Sequence, residues 1–81
     1  MAGYDGAVRR LRLTHPALDF WIDVSVRQLN GRWLAVADLA GEPDVGLGNT
    51  PREALWGALS SFRLVLRADL LHDAEQQLSG A

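Results

Sequence analysis

Two aspartates, Asp23 and Asp38, are the residues best placed to do chemistry, because carboxylates held side by side can share a divalent cation. They flank Asn30-Gly31, the preferred pair for a two-residue hairpin turn whose central positions both need positive φ. Counting outward from that turn sets Leu29 opposite Arg32, Gln28 opposite Trp33, Val26 opposite Ala35, Val24 opposite Ala37, Asp23 opposite Asp38 and Ile22 opposite Leu39. Like charges across a ladder repel unless something answers them. They could form a metal pair of the kind found in nucleases, be neutralised by Arg10, Arg12 or Arg27, or simply be solvated. Two carboxylates with no third ligand in the pattern make a poor cation site, so arginine or water is the favoured partner and no metal is expected.

The remaining reactive side chains form no recognisable machinery. His15 and His72 stand far apart, and with Ser25, Ser60, Ser61 and Ser79 they offer neither a G-x-S-x-G phrase nor a hydrolase order. No catalytic residue and no cofactor are therefore expected. Gly46-x-Gly48 is too short for a dinucleotide fingerprint, and it leads into a helix cap instead of a phosphate loop. Arg9, Arg10 and Arg12 could hold phosphates, but charged gatekeepers on an edge strand explain them equally well. Trp21, Trp33 and Trp56 read as packing residues, with Trp56 at the border of an apolar helical stripe where an interface anchor would sit.

The chain that must position these residues has 81 residues, enough for one small domain whose limited core makes dimerisation a natural source of extra buried surface. Absence of cysteine rules out disulfides, thiolate metal sites and thiol nucleophiles. A net charge of -2 lacks the positive excess that drives non-specific binding to phosphate backbones, so nucleic acid is not the favoured partner. Neither a membrane-spanning apolar run nor a signal peptide is present, which sets a soluble cytoplasmic protein as the expectation.

Hydrophobic periodicity places the elements. Met1 to Gly6 reads as a frayed start, and residues 1–18 as an N-terminal arm or edge strand, with residues 19–81 forming a single α+β domain. From Asp19 to Arg27 apolar and polar residues alternate, and Arg32 to Leu39 is the return strand. Their buried face would carry Phe20, Ile22, Val24, Val26, Trp33, Ala35, Ala37 and Leu39. The opposite face keeps Trp21, Leu34 and Val36, more apolar than a face meeting only water, and something is expected to cover it. Ala40 to Asp44 reads as a turn or bulge and Val45 to Leu47 as a short third strand.

Thr50-Pro51-Arg52-Glu53 then opens a helix: Thr50 caps the N–H of Glu53, Glu53 reaches back to the N–H of Thr50, and Pro51 fills the first position. Ala54, Leu55, Ala58, Leu59, Phe62, Val65 and Leu66 form its core stripe. Asp69 falls in the middle of that stripe, so the packing must change there: either the helix bends near Ala68, or it runs past the sheet and shows a new face to a partner. Leu64, Leu71 and Leu78 make a second stripe, read as a partner surface. The expected fold is α+β, a three-stranded antiparallel sheet, four-stranded if the N-terminal segment joins it, with a long C-terminal helix packed on one face.

From residue 20 to about 66 the order of elements and the phrases Asp38-Leu39-Ala40-Gly41 and Gly48-Asn49-Thr50-Pro51-Arg52-Glu53-Ala54-Leu55 resemble the HicB-like antitoxin domain. Members of that family have a truncated RNase H-like fold without its nuclease centre, self-associate, and mask a small ribonuclease toxin. The resemblance implies a non-enzymatic protein-interaction domain, dimeric and bound to a partner protein, with Trp21, Leu34, Val36, Trp56, Leu71 and Leu78 as interface residues. Two departures stand out: Gly41-Glu42 replaces the usual Gly-Cys, and no helix-turn-helix or ribbon-helix-helix comes after the helix, so autorepression by this chain alone is not expected. Gly46-x-Gly48-x-Thr50 with Ala54 and Ala58 also resembles the end of double-stranded-RNA-binding domains, the alternative being nucleic-acid binding through Arg9, Arg10 and Arg12. Pro51, Arg52 and Leu55 stand where those domains place phosphate-holding lysines.

Overall fold

Alternating apolar residues and two tight turns build a four-stranded antiparallel sheet from β1 (Arg9–Leu13), β2 (Ile22–Leu29), β3 (Arg32–Leu39) and β4 (Glu42–Gly48), side by side in chain order. Two helices complete the chain, α1 (Pro51–Ala58) and α2 (Leu64–Ser79). This is a computed structural model describing residues 7–80, so the expectation for Met1 to Gly6 lies outside the described residues.

Asn30 and Gly31 adopt φ of 52° and 79°, and the β2–β3 register matches the count from that turn, from Leu29 opposite Arg32 to Asp23 opposite Asp38. The second turn was less legible. Ala40 and Gly41, at φ 56° and 90°, reverse the chain in two residues, so β4 begins at Glu42 and is longer than the expected Val45 to Leu47. Alanine is costly in this left-handed conformation. Asp38 helps hold the turn, its Oδ1 accepting from the N–H of Gly41 at 2.9 Å.

One sheet face is sealed. Leu11, Leu13, Ile22, Val24, Val26, Ala35 and Ala37 point into a core closed by Ala54, Leu55, Ala58 and Leu59, and by Leu70, Leu71 and Ala74. Trp33 and Leu39 are only partly buried, and Phe20 is 44% exposed, contrary to its expected place in the core. The reason is that β2 starts at Ile22, opposite the last residue of β1, so the chain before it lies outside the ladder.

The expected single long helix is broken. After Ala58 the N–H groups of Ser60 and Phe62 turn to the carbonyls of Gly57 and Leu59, tightening the chain before α2 begins. Helix α1 packs on β3 and β4, whereas α2 packs on β1 and α1. One straight helix could not cover both sides of the sheet. The break precedes the expected change near Ala68, and it leaves Leu64 exposed and Val65 79% exposed instead of in the core stripe. Asp69 is exposed too, which removes the conflict its carboxylate posed.

Close packing of α1 on β4 depends on Gly46. A Cβ there would run into the carbonyl oxygen of Ala54 and the N–H of Ala58, so the helix backbone rests directly on the strand backbone. The cap works nearly as expected. Thr50 Oγ1 accepts from the N–H of Glu53 at 3.1 Å, but Glu53 Oε1 reaches the N–H of Asn49 at 2.9 Å, one residue before Thr50.

Candidate functional site

The helices cover one face of the sheet, and the other carries the residues in question. Strand alternation sets Arg10 and Arg12 of β1, Asp23, Ser25 and Arg27 of β2, Leu34, Val36 and Asp38 of β3, and Pro43, Val45 and Leu47 of β4 on this outer face. The ladder orders them into rows. Arg27 neighbours Leu34, which neighbours Leu47; Arg10 neighbours Ser25, then Val36, then Val45; Arg12 neighbours Asp23, then Asp38, then Pro43. Charge therefore gathers on the β1–β2 half and apolar surface on the β3–β4 half.

Val45 and Leu47 are each 56% exposed, and Leu34 and Val36 are half-buried beside them. Leu34 and Val36 were legible in the strand alternation, but Val45 and Leu47 were missed. Glycines at 46 and 48 are the overlooked signal, because they mark the other face of β4 as the one pressed against a helix.

The carboxylate pair is answered in the structure. Arg12 Nε lies 3.1 Å from Asp23 Oδ1, with both side chains more than half exposed, and the Arg12 guanidinium sits 4.3 Å above the exposed ring of Trp21. Asp38 is engaged by its own turn. These groups rim a shallow depression of about 480 Å³ lined by Arg10, Arg12, Asp23, Ser25, Val36 and Asp38. Among the described residues no three metal-ligating side chains come together.

The three N-terminal arginines do not form one patch. Arg9 points to the face opposite Arg10 and Arg12, and its guanidinium donates to the carbonyl of Gln77 in α2 at 3.3 Å. With Arg12 engaged by Asp23 and Trp21, Arg10 is left beside Arg27.

The histidines serve as ties. His15 Nδ1 accepts from the N–H of Ala17 at 2.9 Å, which leaves the proton on Nε2, aimed at Asp69 Oδ2 at 2.9 Å. Both ring nitrogens are engaged in anchoring the β1–β2 connection to α2. His72 lies near Gln76 on α2, and the Ser61 hydroxyl donates to Asp44, fastening the helix–helix turn to β4.

Three of the other expected interface residues sit differently from Trp21, Leu34 and Val36. Leu71 is a core residue, 4% exposed, and Leu78 is half-buried against that core, so these two leucines of the second stripe face inward while Leu64 stays exposed. Trp56 is half-buried, its ring covered by the Arg67 guanidinium at 3.9 Å while Arg67 Nε donates to the Trp56 carbonyl at 2.9 Å.

The arrangement defines a small α+β domain with a four-stranded antiparallel sheet, helices on one face and a mixed apolar and basic surface on the other. No protein-family model matches the chain, and comparison with curated proteins and with solved structures gives no match either. Among the described residues no helix is long and apolar enough to cross a membrane.

Proposed function

We propose that this chain is a non-enzymatic protein-interaction domain of the HicB-like antitoxin type, which self-associates and masks a partner protein such as a small ribonuclease toxin. The observation that carries the reading is the uncovered sheet face, where Leu34, Val36, Val45 and Leu47 form contiguous apolar surface beside Arg10 and Arg27. Contiguous exposed apolar surface rimmed by polar residues is the usual mark of a protein contact. Trp21, exposed beyond the Arg12–Asp23–Asp38 row and beneath the Arg12 guanidinium, adds an aromatic side chain of the kind that dominates interface energetics. Leu71 contributes to this function only through the core that holds the sheet flat against its helices.

The test is co-expression with any small protein that a gene adjacent to its own proves to encode. The parent chain is expected to co-purify with that protein and to relieve its toxicity. A Leu34→Asp, Val36→Asp double variant, folded by circular dichroism, should do neither. Retained protection by the double variant would remove the outer face from the mechanism, and no protection by the parent chain would end the antitoxin reading.

A further inference from the structure

We propose that a second copy of this chain pairs with the open edge of β4, antiparallel and about a two-fold axis, so that two sheets join into one. The pairing rests on the self-association proposed for this domain and says where it happens. Sheet order leaves two edges, β1 and β4. The β1 edge is partly closed: Gln77 Nε2 donates to the carbonyl of Arg12 at 3.0 Å, and the N–H of Thr14 just past the strand donates to Asp73 Oδ2 at 3.4 Å, so side chains of α2 occupy two of the backbone groups another strand would use. Three arginines also line that strand, and copies of it would repel.

Among the described residues the β4 edge has neither protection. In an antiparallel ladder hydrogen-bonded and open pairs alternate, and the pair flanking a two-residue turn is hydrogen-bonded. Leu39 and Glu42 flank the Ala40-Gly41 turn, so Glu42, Asp44, Gly46 and Gly48 spend their backbone groups on β3, whereas Pro43, Val45 and Leu47 point theirs away from the sheet. Pro43 fits this alternation, since it has no N–H to give β3.

A two-fold centred on Gly46 sets Val45 opposite Leu47 of the copy, and each such pair exchanges both of its hydrogen bonds without calling on Pro43. Side chains agree with that register. Val45 and Leu47 pair with each other on the outer face, while Asp44 meets Gly48 and Glu42 meets Thr50 of the copy, so no acid faces an acid. The apolar surface of each outer face, Leu34, Val36, Val45 and Leu47, then runs unbroken across the axis. The pairing strand is 7 residues long, so the dimer is expected to dissociate on dilution.

Light scattering and cysteine cross-linking test the assignment on the full chain. The parent should show twice the 8.9 kDa chain mass, falling toward the single mass on dilution. Val45→Pro removes the N–H aimed at the copy without touching a hydrogen bond to β3 and should give a folded monomer; Val45→Lys, which keeps the backbone donor, should weaken the dimer by burying a charge. The natural sequence has no cysteine, so in an oxidised equimolar mixture of Val45→Cys and Leu47→Cys the mixed disulfide should exceed either homodimer, as read by mass spectrometry. A parent that stays monomeric at every concentration overturns both the edge pairing and the self-association. A dimer that survives Val45→Pro and yields no mixed disulfide overturns the edge pairing alone, and leaves self-association to another surface.

Discussion

Strands β1 and β4 border the same sheet, and the chain finishes them in opposite ways. β1 is short, lined with arginine and held by side chains of α2. β4 is longer, carries exposed Val45 and Leu47, and has its helix close above one face, with no strand or helix of the described residues beside its free edge. An edge strand offers unpaired backbone groups to any neighbour, so a protein that closes one edge and leaves the other has made a distinction. The same asymmetry appears on the outer face, with charge answered by charge near β1 and bare apolar surface near β4. The proposed association would thereby fall on one side of the molecule.

The sharpest way to break this contrast is at Gly46. Placing α1 directly on β4 requires backbone against backbone, so Gly46→Val would drive a side chain into Ala54 and Ala58. It is expected to cost about 3 kcal/mol or more, the upper range for overpacking, measured by urea denaturation. A cost below about 1 kcal/mol would mean that α1 can lift from β4 with little loss. Next in size is the closure of β1. Removing both polar ties with Asp73→Ala and Gln77→Ala should cost about 2 kcal/mol in total, near 1 for each tie to the β1 backbone. Amide exchange at Thr14 should rise with it, because its N–H loses the Asp73 acceptor. Unchanged exchange would show that this edge is closed by something other than α2.

The turn that launches β4 gives a smaller effect of opposite sign. Ala40 holds φ 56°, a conformation that asparagine tolerates better than alanine. Ala40→Asn would recreate the Asn-Gly pair of the first turn and is expected to stabilise the fold by about 0.5–1 kcal/mol, seen as a raised melting temperature. A neutral or negative result would show that the Asp38–Gly41 hydrogen bond, rather than backbone strain, decides the energy of this turn.

These sites also mark how far the residues alone could lead. The β2–β3 hairpin was legible because Asn30-Gly31 fixes the turn, and a slip of one residue would carry Ile22, Val24 and Val26 to the wrong face. β4 was half legible: Ala40 is no turn signal, and the glycines at 46 and 48 interrupt the apolar alternation for a reason that only the neighbouring helix supplies. The helix break was not legible. Periodicity runs through Val65 as smoothly as through Leu55, because a stripe records spacing and not the direction in which the chain must turn to reach β1. The same limit turned Leu71 into an apparent surface residue. On the outer face, Trp21, Leu34 and Val36 emerged from strand alternation, while Val45 and Leu47 depended on knowing how far β4 extends.

The smallest expected effect concerns the charged half of that face. Arg12 makes a 3.1 Å contact to Asp23 and stacks over Trp21, but the ion pair is more than half exposed on both sides, where water and salt screen it. Arg12→Gln should therefore cost less than about 1 kcal/mol, with a difference from the parent that shrinks as salt is raised. Asp23 would then face Asp38 with no cation directly beside it, and this repulsion is the largest part of the expected loss. A cost above about 2 kcal/mol that salt leaves unchanged would place these charges in a tightly held network. The β1 half would then be a rigid structural feature in its own right, and its contrast with the bare apolar half near β4 would no longer be one between a solvated surface and a surface built for contact.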